Sequence, residues 1–165
     1  MTKIGLLSDT HGFVDDKILE FFKSCDEIWH SGDIGDIAAC NKLESFKPLK
    51  AVYGNIDGAE IRIRYKKHLH FVCEGAKVWI THIGGYPGHY EKEIKDELSI
   101  NPPKILICGH SHILKIIYDK KYDLLFINPG AAGSSGFHKV RTAVRFVIDN
   151  GIPKQMEILE IDRNK

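Results

Sequence analysis

Lys3-Ile4-Gly5-Leu6-Leu7-Ser8-Asp9-Thr10-His11 lies at the start of the chain and decides how the rest is read. Ile4 to Leu7 is a short apolar run bounded by polar residues. A strand with one face in water alternates apolar with polar, so an unbroken run marks a strand covered on both faces, as in α/β sheets. The run delivers Asp9-x-His11 at its end. In open α/β sheets, sites form just outside the carboxyl ends of parallel strands.

The residues that follow continue the pattern. Val14, Ile18 and Phe22 recur every four positions, predicting a helix with Asp15 and Asp16 in its first turn, where carboxylates complement the amide dipoles. Glu27 to His30 reads as a second strand, Ile37, Cys40 and Leu43 as a second helix ended by Pro48, and Leu49 to Tyr53 as a third strand. This βαβαβ order implies parallel strands with crossover helices. Beyond it, Leu69–Cys73 and Lys77–Thr81 flank Gly75 as a hairpin. Tyr90, Ile94 and Leu98 mark a helix stopped by Pro102-Pro103, and Ile105–Cys108 a strand. Lys115–Tyr118 and Leu124–Asn128 form a second hairpin, and Asn150-Gly151 turns a third between Val144–Ile148 and Met156–Ile158. The expected fold is α/β with α+β character: two packed mixed sheets flanked by helices, residues 1–165 forming one domain.

Composition narrows the function classes. The formal net charge is +1, so no global basic field favours a nucleic-acid partner. No apolar run approaches the roughly 18 residues that span a membrane, and the short N-terminal run lacks the h-region of a secretory signal, so a cytoplasmic location is expected. The four cysteines form no CxxC and read as reduced, buried side chains. Gly130 to Gly136 lacks a P-loop's Gly-Lys-Ser/Thr ending.

The chemistry collects at strand ends: Asp9-Thr10-His11, Gly32-Asp33 with Asp36, Gly54-Asn55-Ile56-Asp57, Thr81-His82 and Gly109-His110-Ser111-His112. Alone, each has an ordinary reading: a helix-capping Asp, a Gly turn, a solvated His. Together, five strand-end loops each deliver a metal-binding side chain. Asp9, His11, Asp33, Asn55, His82, His110 and His112 make a mixed N and O ligand set suited to first-row divalent ions. No Cys is among them, which argues against a closed structural zinc site. A carboxylate bridges two ions readily and a neutral imidazole does not, so Asp33 is the candidate bridge.

This ordered set, Asp9-x-His11, Gly32-Asp33-x-x-Asp36, Gly54-Asn55-x-Asp57, His82 and Gly109-His110-x-His112, resembles the calcineurin-like metallophosphoesterase superfamily. The short length and Ile127-Asn128-Pro129-Gly130 resemble its small phosphodiesterase group from bacteria and archaea, to which the eukaryotic retromer scaffold subunit is similar. The likeness runs from Lys3 to about Ile148. It implies a four-layer sandwich, one metal held by Asp9, His11, Asp33 and His112, and a second held by Asp33, Asn55, His82 and His110. It also implies that Asp33, Asn55 and His82 act at the reacting centre. One departure stands out: the superfamily's leaving-group histidine, which Asp36 would normally support, is Ile56 here, as it is often missing in the small phosphodiesterase group.

The expected function is therefore a metal-dependent phosphodiesterase acting on a small phosphoester. A hydroxide bridging two ions roughly 3.5–4 Å apart would attack phosphorus. Mn²⁺ is the expected ion, with Fe, Co, Ni and Zn also suited. The alternative is a catalytically weak or inactive metal-binding scaffold for protein–protein interaction. A homo-oligomer is compatible with the sequence but not fixed by it. Among remaining residues, His30 and Asn128 are candidate supports for the ligands, and His89 a candidate proton donor. Arg141 reads as a surface ion pair or a phosphate-binding fork. His68 and His70 are expected to face solvent, and Arg62, Arg64, Lys66 and Lys67 to form a solvated basic face or attract an anionic substrate.

Overall fold

In a computed structural model that describes residues 1–164, the first sheet is built from β1 (Thr2–Leu7), β2 (Glu27–His30), β3 (Leu49–Ala51), β9 (Val140–Asp149) and β10 (Ile152–Asp162). The second comprises β4 (His68–Cys73), β5 (Ala76–Thr81), β6 (Ile105–Ile107), β7 (Leu114–Asp119) and β8 (Leu124–Pro129). The strand orders are β10-β9-β1-β2-β3 and β4-β5-β6-β8-β7. In the first sheet β1, β2 and β3 run parallel, and in the second β5, β6 and β8 do, with antiparallel strands completing each. Helices α1 (Asp16–Phe21), α2 (Ile37–Phe46) and α3 (Ala59–Arg64) cover the first sheet, and α4 (Lys92–Leu98) covers the second. The result is the expected four-layer α/β sandwich.

The period of two explains the apolar runs. Along β1, Ile4 and Leu6 point between the sheets, while Leu7 points at the helices. Along β6, Ile105 and Ile107 face the other sheet and Leu106 faces α4. Trp29 of β2 fills the inter-sheet space with its ring edge-on to Phe71, centroids 5.0 Å apart, and to Phe146 at 5.9 Å. All four cysteines are free and buried, and among the described residues no helix is long and apolar enough to cross a membrane.

Several local expectations are corrected. The third strand ends at Ala51 rather than Tyr53, because the chain leaves the sheet to place Gly54 and Asn55, and Val52 keeps only a single bridge to Lys66. Helix α3 was not foreseen: it starts at Gly58 without a side-chain cap and buries only Ile61, so it carries no apolar period. Asp15 and Asp36 are N-caps, accepting from the amides of Lys17 and Ala39. Arg141 is no surface pair: it is 2% exposed, donates to Asp15 at 2.6 Å and lies under the Phe13 ring. Of the two β4 histidines, His70 is exposed and stacks on Trp79, but His68 is half-buried against the same indole.

Gly5 is the tightest point of β1, since a Cβ there would lie 2.6 Å from the Phe22 ring. Gly5→Ala should therefore lower stability by about 1–3 kcal/mol in urea unfolding. Adding Phe22→Leu should recover part of that loss, so the double variant falls short of additivity. Strict additivity would mean that the ring is not the obstacle.

Candidate metal centre

The carboxyl ends of the parallel strands of both sheets meet at one edge of the sandwich, and the seven candidate ligands sit there. Hydrogen bonds between the loops continue the β1–β2 pairing past the strands: Asp9 N donates to Gly32 O (2.9 Å), His11 N to Asp33 O (3.0 Å) and Gly12 N to Ile34 O (2.7 Å). Between sheets, Ser31 Oγ donates to Cys108 O at 3.2 Å. Within the second sheet, Gly109 N donates to His82 O at 2.9 Å.

Five of the seven, Asp9, His11, Asp33, His110 and His112, have left-handed backbones with φ between 49° and 72°. The other non-glycine residues with positive φ, Glu74, Asp123, Asn150 and Gln155, lie at hairpin turns and a β-bulge. Left-handed residues without glycine cost on the order of 1–3 kcal/mol each and persist where surrounding structure over-determines them. Here they turn the side chains back toward a common centre. Gly54 shows how closely the loops meet, since a Cβ there would lie 2.0 Å from Asp33 Oδ1.

The side chains form two adjoining clusters, Asp9–His11–His112 and Asp33–His82–His110, each with ligand atoms within 4.8 Å of one another. Asp33 Oδ2 faces both, 3.6 Å from His11 Nε2 and 3.2 Å from His82 Nε2. Asn55 Oδ1 lies 3.0 Å from His82 Nε2 and 3.1 Å from His110 Nδ1. Asp9, Asp33 and His82 are buried, His11 and His112 partly so, and Asn55 and His110 stand at the mouth.

The protonation pattern follows from the partners. His82 Nδ1 lies 2.8 Å from Ser31 O, which can only accept, so Nδ1 carries the proton. In the neutral ring the Nε2 lone pair would face two oxygens, Asp33 Oδ2 and Asn55 Oδ1, and against the effect of burial the nearby Asp33 and Asp9 carboxylates raise the pKa of His82. Only a second proton or a metal cation relieves that crowding. Asp9 Oδ2 accepts from Ser8 Oγ (2.6 Å) and from His110 N (3.1 Å), but its buried Oδ1 has no hydrogen-bond partner. His11 Nε2, 3.8 Å from that oxygen, is likewise buried and unpartnered. Burial opposes ionisation of Asp9, yet His11, His112 and His82, when protonated, outweigh it and hold the carboxyl far below the usual range. Asp33 is also lowered against the cost of burial, through His82 and the Ile56 amide. Two ionised carboxylates among nitrogen and oxygen lone pairs fit divalent cations.

Supporting residues explain the rest. Asp57, named in the sequence pattern without a role, is buried and accepts from the amides of Gly54 (2.8 Å), Gly35 (2.9 Å) and Ile34 (3.2 Å), tying the Asn55 and Asp33 loops together. Asn128 donates to Gly109 O (2.9 Å) and Ser111 Oγ (3.0 Å), fixing the His110–His112 loop. His138 was not assigned in the sequence. Its Nε2 lies 2.7 Å from Gly133 O, so Nε2 carries the proton and Nδ1 accepts from His112 Nδ1 at 3.3 Å. That leaves the His112 Nε2 lone pair facing Asp9 Oδ1, 3.1 Å away. Only the fold brings His138 there, from a Gly-rich loop 26 residues on. His89 is exposed against Tyr86, their ring centroids 4.9 Å apart. Ile56 is 46% exposed beside the candidate ligands.

A model of the calcineurin-like phosphoesterase superfamily domain matches residues 2–151, and the chain belongs to that superfamily, whose members use divalent metal ions. A probable metallophosphoesterase of Methanothermobacter thermautotrophicus is 26% identical over 136 residues, 78% of this chain and 76% of its own length. Among solved structures, an archaeal phosphodiesterase matches with a TM-score of 0.78 and 22% identity, over 96% of this chain and 99% of its own. Wild-type Vps29 of Entamoeba histolytica complexed with Zn²⁺ matches with a TM-score of 0.75 and 15% identity, over 98% and 99%. These structural likenesses show a shared fold.

His30, fully buried, pins two ligand loops: its Nδ1 accepts from Gly32 N (3.1 Å) and its Nε2 donates to Thr10 Oγ1 (2.9 Å). Burial pushes its pKa down to about 4. The unfolded chain, near an ordinary value of about 6.5, takes up the proton first. This stabilising contribution is full above about pH 6.5 and is lost as pH falls toward about 4, amounting to about 2 kcal/mol between about pH 7.5 and about pH 5. In urea unfolding with EDTA, His30→Gln should lose about 2 kcal/mol less than the parent across that interval. Equal losses would show that His30 does not set the slope.

Proposed function

We propose that this protein is a phosphodiesterase that binds two divalent ions. Asp9, His11, Asp33 and His112 hold one, Asn55, His82, His110 and the shared Asp33 the other. The observation that carries the reading is the convergence of His82 Nε2 on Asp33 Oδ2 at 3.2 Å and Asn55 Oδ1 at 3.0 Å, beside the orphaned Asp9 Oδ1. When bound, two such ions supply Lewis-acid charge to a phosphoryl group and lower the pKa of water to make a nucleophile.

The chain's own residues prepare that chemistry. Asp9 and Asp33 stay ionised, so they are available as ligands without first losing a proton. Asn55 and His110 stand at the open side, with His82 buried behind them, where a phosphoryl oxygen can approach. The hydrogen-bonded loops keep these donors in place before substrate arrives, the preorganisation that electrostatic stabilisation requires. Ile56 presents hydrocarbon where a proton donor would protonate the leaving oxygen. General-acid help contributes about 10²–10⁴-fold, so esters with good leaving groups are favoured. Mn²⁺ is the ion expected to support turnover, with Fe, Co, Ni and Zn also matched to these ligands. The scaffold reading draws on exposed Ile113, Ile117 and Tyr118 on and beside the edge strand β7. The complete ligand set favours the enzyme.

The test is hydrolysis of bis-p-nitrophenyl phosphate and p-nitrophenyl phosphate by protein stripped of metal and reloaded with Mn²⁺. Activity should require metal, favour the diester and fall by about 10³-fold or more in Asp33→Ala, the loss of several kcal/mol of charge stabilisation. A folded, metal-loaded protein without turnover would overturn the enzyme reading in favour of the scaffold. Because His138 orients His112, His138→Ala should weaken Mn²⁺ binding by about 10–100-fold in calorimetry. His138→Gln, whose amide oxygen can accept from His112, should recover part of it. Unchanged affinity in the alanine variant would remove His138 from the site.

A further inference from the structure

A cleft of about 260 Å³ opens beside Asn55 and His82, between Tyr53, Arg62, Lys67 and Ile83. The Arg62 guanidinium is fixed on three sides. Its Nε donates to Asp57 O (2.6 Å), its Nη2 to Asn55 O (3.3 Å), and Cζ lies 4.6 Å from the Tyr53 ring centroid. All three partners are neutral. Arg64, Arg141 and Arg145 each pair with a carboxylate, whereas Arg62 has no acidic partner among the described residues. The Nη1 amino group has no protein partner there either, so part of the fork stays open. Lys67 adds a second cation at the rim, 3.3 Å from Glu93 in a pair more than half exposed on both sides, which an incoming anion can displace. The buried Thr81 Oγ1, with no hydrogen-bond partner, also lines the cleft.

An arginine held by backbone carbonyls and an aromatic face, with its charge uncompensated, is a preorganised anion receptor. We infer that the cleft seats a second phosphate group of the substrate, received by Arg62 and Lys67 while the scissile phosphate lies over Asn55 and His82. Two cations suit a phosphate dianion better than a carboxylate, which the arginine alone would satisfy. The cleft has room for one phosphate beside the scissile group, so the substrate class proposed is a small organic molecule bearing two phosphates. The position of the scissile group rests on the dimetal reading; the anion receptor rests on Arg62 itself.

Calorimetric titration of the Mn²⁺-loaded protein with propane-1,3-diol bisphosphate and with propyl phosphate tests this. The bisphosphate should bind about tenfold or more tightly, as expected for one charge-assisted fork. Arg62→Gln should remove most of that preference, and Arg62→Lys, which keeps charge but loses the fork and the stacking on Tyr53, should keep part. Lys67→Gln, on the exposed rim, should shrink the preference less and carries the test should Arg62→Gln fail to fold. Equal binding of the two ligands by the parent, or a preference untouched by either variant, overturns the inference. Absence of the bisphosphate preference in a parent protein that still cleaves bis-p-nitrophenyl phosphate sinks this inference alone. Failure to load metal or to cleave that diester sinks the dimetal reading instead.

Discussion

The hydrogen bond between His82 Nδ1 and the Ser31 carbonyl joins the end of β5 in one sheet to the end of β2 in the other, and the centre is organised around it. With Nδ1 committed, the ring has one way to face, and its Nε2 points at Asp33 and Asn55. The two sheets must then stack with their parallel strand ends at the same edge. The inter-sheet core of Ile4, Leu6, Trp29, Val78, Ile105 and Phe146 sets that stacking. A shift of the sheets would break the cross-sheet bond and the facing of the two clusters together.

The cost of the centre is concentrated in its backbone. Five candidate ligands in the left-handed region and two buried carboxylates within reach of each other's histidines are unfavourable alone. They are held because the loops are hydrogen-bonded to one another rather than to water. Asp57 gathers three amides, Asn128 ties the His110–His112 loop to the end of β8, and His30 clamps the Asp9 and Asp33 loops. These supports share a logic: each is a buried polar side chain whose donors and acceptors are satisfied by the backbone and hydroxyls of the loops, so none can move without leaving a partner unpaired.

The charge pattern extends this logic to the surface. The chain's net charge is close to zero, so attraction of an anionic substrate must be local. Arg62 shows how local charge is made directional. Neighbouring carbonyls and the Tyr53 ring orient the guanidinium without neutralising it. Arg141 has the opposite arrangement, buried under Phe13 and paired with Asp15, and it joins the start of α1 to β9 as a structural element.

Much of this was legible in the chain because it depends on local chemistry and period. Apolar runs at Ile4–Leu7 and Ile105–Cys108 reported strands covered on both faces. Glycine next to Asp33, Asn55 and His110 reported loops in close approach, and the order of ligand types reported a shared centre. Residues whose roles depend on distant partners were not legible. His138 acquires its role only when a Gly-rich loop folds against His112, and Asp57 only when three amides converge on it. Arg62 looked like one of several solvated cations until α3, a helix with a single buried residue, placed it over Tyr53. Spacing and residue type determined which strands form and which side chains can bind metal. Tertiary structure alone decided which nitrogen of His30, His82 and His138 is committed to a neighbour and that Arg62 is held without an acidic partner among the described residues, because proton placement and charge compensation are set by contacts between segments far apart in the chain.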